Sequence, residues 1–102
     1  MADEKEIEKI LASVTIERAL IEVGGPELRE SVERWLDSEY RYRFSDCLEH
    51  PESLRKTLQR RCGDKYVIIV SRIRGLLGEV SEREPFLEFM EKLGDVGGKG
   101  SL

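Results

Sequence analysis

The side chains best suited to chemistry in this 102-residue chain are one histidine and two cysteines. His50 could serve as a general base and Cys47 or Cys62 as a nucleophile, provided a carboxylate oriented the imidazole. Their setting points elsewhere. His50 directly precedes Pro51, as a residue at a helix start does. The cysteines stand 15 residues apart with no C-x-x-C pair and no second histidine, so neither a zinc site nor a disulfide framework is expected. Two free thiols, buried or half-buried, are expected instead. Gly24 and Gly25 ahead of Pro26 could open an anion-binding helix N-terminus, but neither G-x-G-x-x-G nor G-x-x-x-x-G-K-[ST] spacing accompanies them. Glutamates recur at three- and four-residue spacings in the flanking helices without the Glu-x-x-His partners of a carboxylate metal site, which reads as solvated helix faces. No catalytic, cofactor-binding or metal-ligating residue is assigned, and a non-enzymatic protein is expected.

Charge is the stronger signal, because the net −4 is unevenly spread. Residues 1–40 carry 5 basic and 11 acidic side chains (−6), residues 41–74 carry 9 and 4 (+5), and residues 75–102 carry 3 and 6 (−3). In the middle third Arg41, Arg43, Arg55, Lys56, Arg60, Arg61 and Lys65 combine with Tyr40, Tyr42 and Phe44, the mixture of cations and rings used by single-strand nucleic-acid binders. The competing expectation is that the rings fill the core while the cations face water, the acidic helices or a protein partner with an acidic surface. An isoelectric point near 5.1 lies below the basic values usual for nucleic-acid domains and favours this second reading. Nucleic-acid binding through 41–74 is the alternative.

The elements that must position these residues read as helices. Ile7, Ile10, Leu11 and Val14 follow the i, i+3, i+4, i+7 spacing of one helix face. Ile16, Ala19, Leu20 and Val23 repeat it, but at 100° per residue their centre lies almost opposite the first set. Either one continuous helix has two apolar faces, or the chain breaks at Ser13 to Thr15 with Thr15 as a new cap. Gly24 and Gly25 end this segment, and Pro26 opens a second helix with Leu28, Val32, Trp35 and Leu36 inward, ending near Glu39. Tyr40, Tyr42 and Phe44 alternate with Arg41 and Arg43, which predicts a short extended connector. A third helix follows Pro51, capped by Asp46 or His50 and stopped by Gly63. Lys65 to Val80 has apolar residues at spacings of three and four and predicts a fourth, with a buried strand at Val67 to Val70 as the alternative. Ser81 and Glu84 have capping-box spacing before Pro85, ahead of a fifth helix with Phe86, Phe89, Met90 and Leu93 inward and Gly94 at its end. The Gly-rich stretch 95–102 is expected to be a flexible tail.

These elements predict an all-α fold, a compact bundle of four to five short helices forming one domain over 1–94. Its expected core is Leu20, Val32, Trp35, Leu36, Leu54, Leu58, Ile69, Val70, Ile73, Leu77, Phe86 and Phe89. The longest apolar run, Tyr66 to Val70, is far too short for a membrane span. Met1 to Glu8 lacks the pattern of a signal peptide. A cytoplasmic protein without membrane contact is expected.

From Leu20 to about Leu77 the chain resembles a small archaeal helical family, the Nitrosopumilus output domain. The resemblance rests on the helix into Gly24 and Gly25, the Val32, Trp35, Leu36 stripe, the aromatic connector ending at Phe44, and His50, Pro51 and Glu52 opening a helix. Leu54, Leu58, Gly63 and Tyr66 continue it. The resemblance implies a small helical regulatory module and brings no catalytic residues. Absence of any site motif leads to the same expectation, an interaction or regulatory module acting through helical surfaces. Homodimerisation is expected through Ile7, Ile10, Leu11 and Val14, which lie outside the resemblance and have no place in a small core if the first helix is continuous. Glu4, Glu6 and Glu8 beside them could meet the basic third of the second copy.

Overall fold

A computed structural model describes residues 3–94, which form four α-helices and two short 3-10 helices with no strand among them. Helix α1 spans Glu4–Tyr40, α2 Pro51–Cys62, α3 Lys65–Leu77 and α4 Phe86–Leu93. The 3-10 helices, Phe44–Leu48 and Gly78–Glu82, precede α2 and α4 respectively. The expected all-α bundle is the fold observed, while the stretch 95–102 lies outside the described residues.

Helix α1 is bent back on itself. A straight 37-residue helix would run about 55 Å, longer than the molecule's 42 Å longest axis. The bend falls at Gly25, whose φ of 81° and ψ of 176° leave the helical region. Pro26 explains the position, since its ring disfavours helical geometry in the residue before it and it has no N–H to continue the ladder. The limb after Gly25 returns beside the first: Arg29 Nη1 lies 3.9 Å from Glu17 Oε1. Gly24 permits this turn by a different route, because a Cβ there would sit 2.8 Å from the Cβ of Leu28.

The first limb is continuous through Thr15, which is buried in the helix rather than capping a new one. Asp3 starts it, its Oδ1 accepting from the Glu6 N–H at 2.9 Å. Ala12, Thr15, Ile16, Ala19 and Leu20 are buried, so the second of the two predicted stripes faces the core. The second limb adds Val32 and Leu36 to that core and stops at Arg41, a left-handed residue (φ 60°) whose N–H donates to the Asp37 carbonyl, while the Tyr42 N–H donates to that of Leu36.

Around this hairpin the shorter helices close the core. Leu54, Thr57 and Leu58 of α2, Ile69, Val70, Ile73 and Leu77 of α3, and Phe86, Phe89, Met90 and Leu93 of α4 are all buried. The β-branched run Val67 to Val70 is therefore helical, and its period of 3.6 exposes Val67 and Ile68 while burying the next two. Arg72 Nε ties α3 to the first limb at 2.6 Å from Glu22 Oε1, and the Tyr66 hydroxyl ties α3 to α4 by donating to the Leu93 carbonyl.

Three local expectations are corrected. Asp46 accepts from the Arg43 N–H at 2.8 Å and so caps the first 3-10 helix, leaving His50 at the start of α2 with no side-chain cap bond. Ser81 donates to the Gly78 carbonyl at 2.7 Å inside the second 3-10 helix, so the predicted capping box with Glu84 does not form. Trp35, expected in the core, is only half-buried.

Candidate functional site

His50 and the cysteines do not assemble. The imidazole is exposed and stacks on Tyr42, with ring centroids 4.4 Å apart and planes 12° from parallel. Cys47 is buried, with Sγ 3.6 Å from the Arg43 carbonyl, and burial, with the Asp46 carboxylate beside it, pushes its thiol up to about 12. Cys62 is half-buried; burial raises its thiol while Lys65 and Arg61 pull against that rise. Among the described residues no three His, Cys, Asp or Glu side chains converge as metal ligands would. The different burial of the two thiols sets a simple expectation. In the native protein a thiol-disulfide reagent at neutral pH labels Cys62 first and reaches Cys47 only on unfolding. Two equally fast labels, counted by mass spectrometry, would contradict it.

Two surfaces remain. On the first limb Ile7, Ile10, Leu11 and Val14 are between 39% and 57% exposed. They lie opposite the buried face, so the unpaired stripe of the sequence reading is an exposed apolar face. Ile21, 44% exposed, extends it and was missed in the sequence. The signal was present, since Ile7, Val14 and Ile21 are seven residues apart and share one side of a helix. Between Val14 and Ile21 the face dips into a shallow depression bordered by Glu17, Arg18 and Glu22.

The basic segment divides. Arg43 lines an acidic cleft between the two limbs of α1, together with Glu17, Glu30, Glu33, Arg34 and Asp37. Lys56, Arg60 and Arg61 instead gather around Trp35. The guanidinium carbons of Arg60 and Arg61 lie 5.7 and 5.1 Å from the centroid of its ring, and Arg61 donates to Ser31 Oγ at 3.1 and 3.3 Å. Arg41 and Arg55 are exposed, at the end of α1 and on α2. Of the three rings expected to fill the core, Phe44 is buried, but Tyr40 and Tyr42 are half-buried and stacked at 5.8 Å.

Compared with protein-family models, curated proteins and solved structures, the chain matches none.

Charge pairing separates the two regions further. Helix α1 neutralises much of its own charge: Arg18 with Glu22 at 3.0 Å, Arg29 with Glu33 at 2.9 Å, Arg34 with Glu30 at 3.0 Å. Lys5 and Lys9 both reach Glu49, at 3.3 and 3.6 Å. Among the described residues none of Arg41, Arg43, Arg55, Lys56, Arg60 and Arg61 forms an ion pair. Of the placements expected for the cations, these six therefore take the one that faces water rather than ion pairs with the acidic helices. No described helix is long and apolar enough to cross a membrane.

Proposed function

We propose that the protein is a small interaction module that pairs with a second copy of itself through the first limb of α1. The observation that carries this reading is the exposed apolar face of Ile7, Ile10, Leu11, Val14 and Ile21, set on a helix whose opposite side is already packed. Covering a half-exposed Ile, Leu or Val contributes about 1 kcal/mol, or about 10 kcal/mol for the ten side chains of two copies. Association itself costs on the order of 4–15 kcal/mol. The balance favours a weak, reversible dimer over an obligate one, which suits a regulatory module of the kind the resemblance implies.

A two-fold axis between Ile10 and Leu11 sets Ile7 opposite Val14 and Asp3 opposite Arg18 in antiparallel limbs. Parallel limbs would place Glu17 on Glu17 and Arg18 on Arg18, with like charges adjoining the seam. Light scattering at about millimolar concentration, above the Kd of roughly tens of micromolar at the favourable end of this balance, tests the reading. Twice the chain mass of 11.8 kDa is expected for the intact protein, and a folded monomer for the double substitution Ile10→Glu with Leu11→Glu. Both positions are exposed, so the core is untouched and circular dichroism stays helical. An intact protein that runs at 11.8 kDa ends this proposal.

A further inference from the structure

The cations around Trp35 are not part of the apolar stripe, and they form a site of their own. The second limb of α1 and the outer face of α2 enclose an open cleft of about 640 Å³, lined by Trp35, Glu39, Tyr40, Lys56, Gln59 and Arg60. That volume falls within the range of ligand-binding clefts. All three phenylalanines are buried, whereas Trp35 and Tyr40 are half-buried along the cleft, and Tyr40 continues outward through Tyr42 to His50 as a ladder of nearly parallel rings.

We infer that this cleft binds single-stranded nucleic acid, with Lys56, Arg60 and Arg61 on phosphates and Trp35 and Tyr40 offering faces to bases. The cations are long, exposed and without ion-pair partners among the described residues, so phosphate contacts displace no internal salt bridge. Arg60 and Arg61 rest on the Trp35 ring, where a base exchanges for a guanidinium and the freed group turns to the backbone. An acidic polypeptide would use the cations but leave the ring ladder without a role, and the rings decide between the two. Among the described residues Glu39 is the one carboxylate lining the cleft, and it opposes phosphate at close range.

Trp35 is the chain's only tryptophan and reports on the cleft directly. Titrating the full chain with a short oligothymidylate is expected to quench its fluorescence saturably. Three phosphate contacts weaken binding by about tenfold or more between 50 and 200 mM salt. Lys56→Glu with Arg60→Glu is expected to abolish the quenching, and Glu39→Gln to tighten binding severalfold; both variants change exposed residues and are checked for helicity. Absence of quenching at low salt overturns the inference. So does binding that survives the double substitution, or poly-glutamate that competes as well as the oligonucleotide and so marks a site for acidic protein.

Discussion

Phe89→Ala is expected to lower the unfolding free energy by about 3–5 kcal/mol, the cost of emptying a phenylalanine-sized space in a core. Phe89 is 1% exposed and heads the fully buried side chains by size. It sits on α4, which at 8 residues is far too short to hold a helical conformation alone. The helix exists because Phe86, Phe89, Met90 and Leu93 all face the core. Losing the central ring therefore removes both the packing and the reason for the helix. Urea denaturation followed by far-UV circular dichroism reads the effect, with Leu76→Ala, at a 37% exposed position on α3, as a control expected within about 0.5 kcal/mol of the parent. A Phe89→Ala loss below about 1 kcal/mol would show that α4 unfolds apart from the rest.

Gly25→Ala is the second substitution with a large expected cost, about 1–3 kcal/mol, and its cause is the backbone. At φ 81° and ψ 176° the residue occupies a region that side chains essentially exclude. Packing adds little, since the new Cβ would meet only Glu27 Oε1, at 3.1 Å and at the end of a flexible chain. Gly75→Ala provides the contrast. It lies inside α3 with nothing within 4 Å of a new Cβ, so the same chemical change there is expected to stabilise, by up to about 1 kcal/mol. Opposite shifts of the two urea midpoints support the bend as described. Equal shifts would place Gly25 in an ordinary helical conformation.

Features governed by neighbours in sequence were legible before the structure. Gly94 ends α4 in a left-handed conformation, Pro51 opens α2, and the two opposed stripes of the first limb separate one buried from one exposed face. Helical period identifies a face but not how deeply it is covered. Trp35 shares a stripe with Val32 and Leu36, yet only those two reach the interior. Its actual neighbours, Arg60 and Arg61, lie some 25 residues away, and no local pattern marks that meeting. Asp46 and Ser81 failed as expected helix caps for a related reason. Both short polar side chains found partners within three residues, in turns that compete with the longer helices for them.

The self-pairing of charges along α1 has a consequence for how the molecule is met from outside. A charge already neutralised a few ångströms away projects little field, and at physiological ionic strength even a lone charge is screened beyond a Debye length of about 8 Å. An approaching chain therefore samples the potential of the patch in front of it and not the sum over the protein. On α2 that patch holds four cations, Arg55, Lys56, Arg60 and Arg61, against one acid, Glu52, although the chain as a whole carries −4. An acidic isoelectric point and affinity for a polyanion are compatible in one small molecule when its acids and its cations are segregated, as they are between α1 and α2.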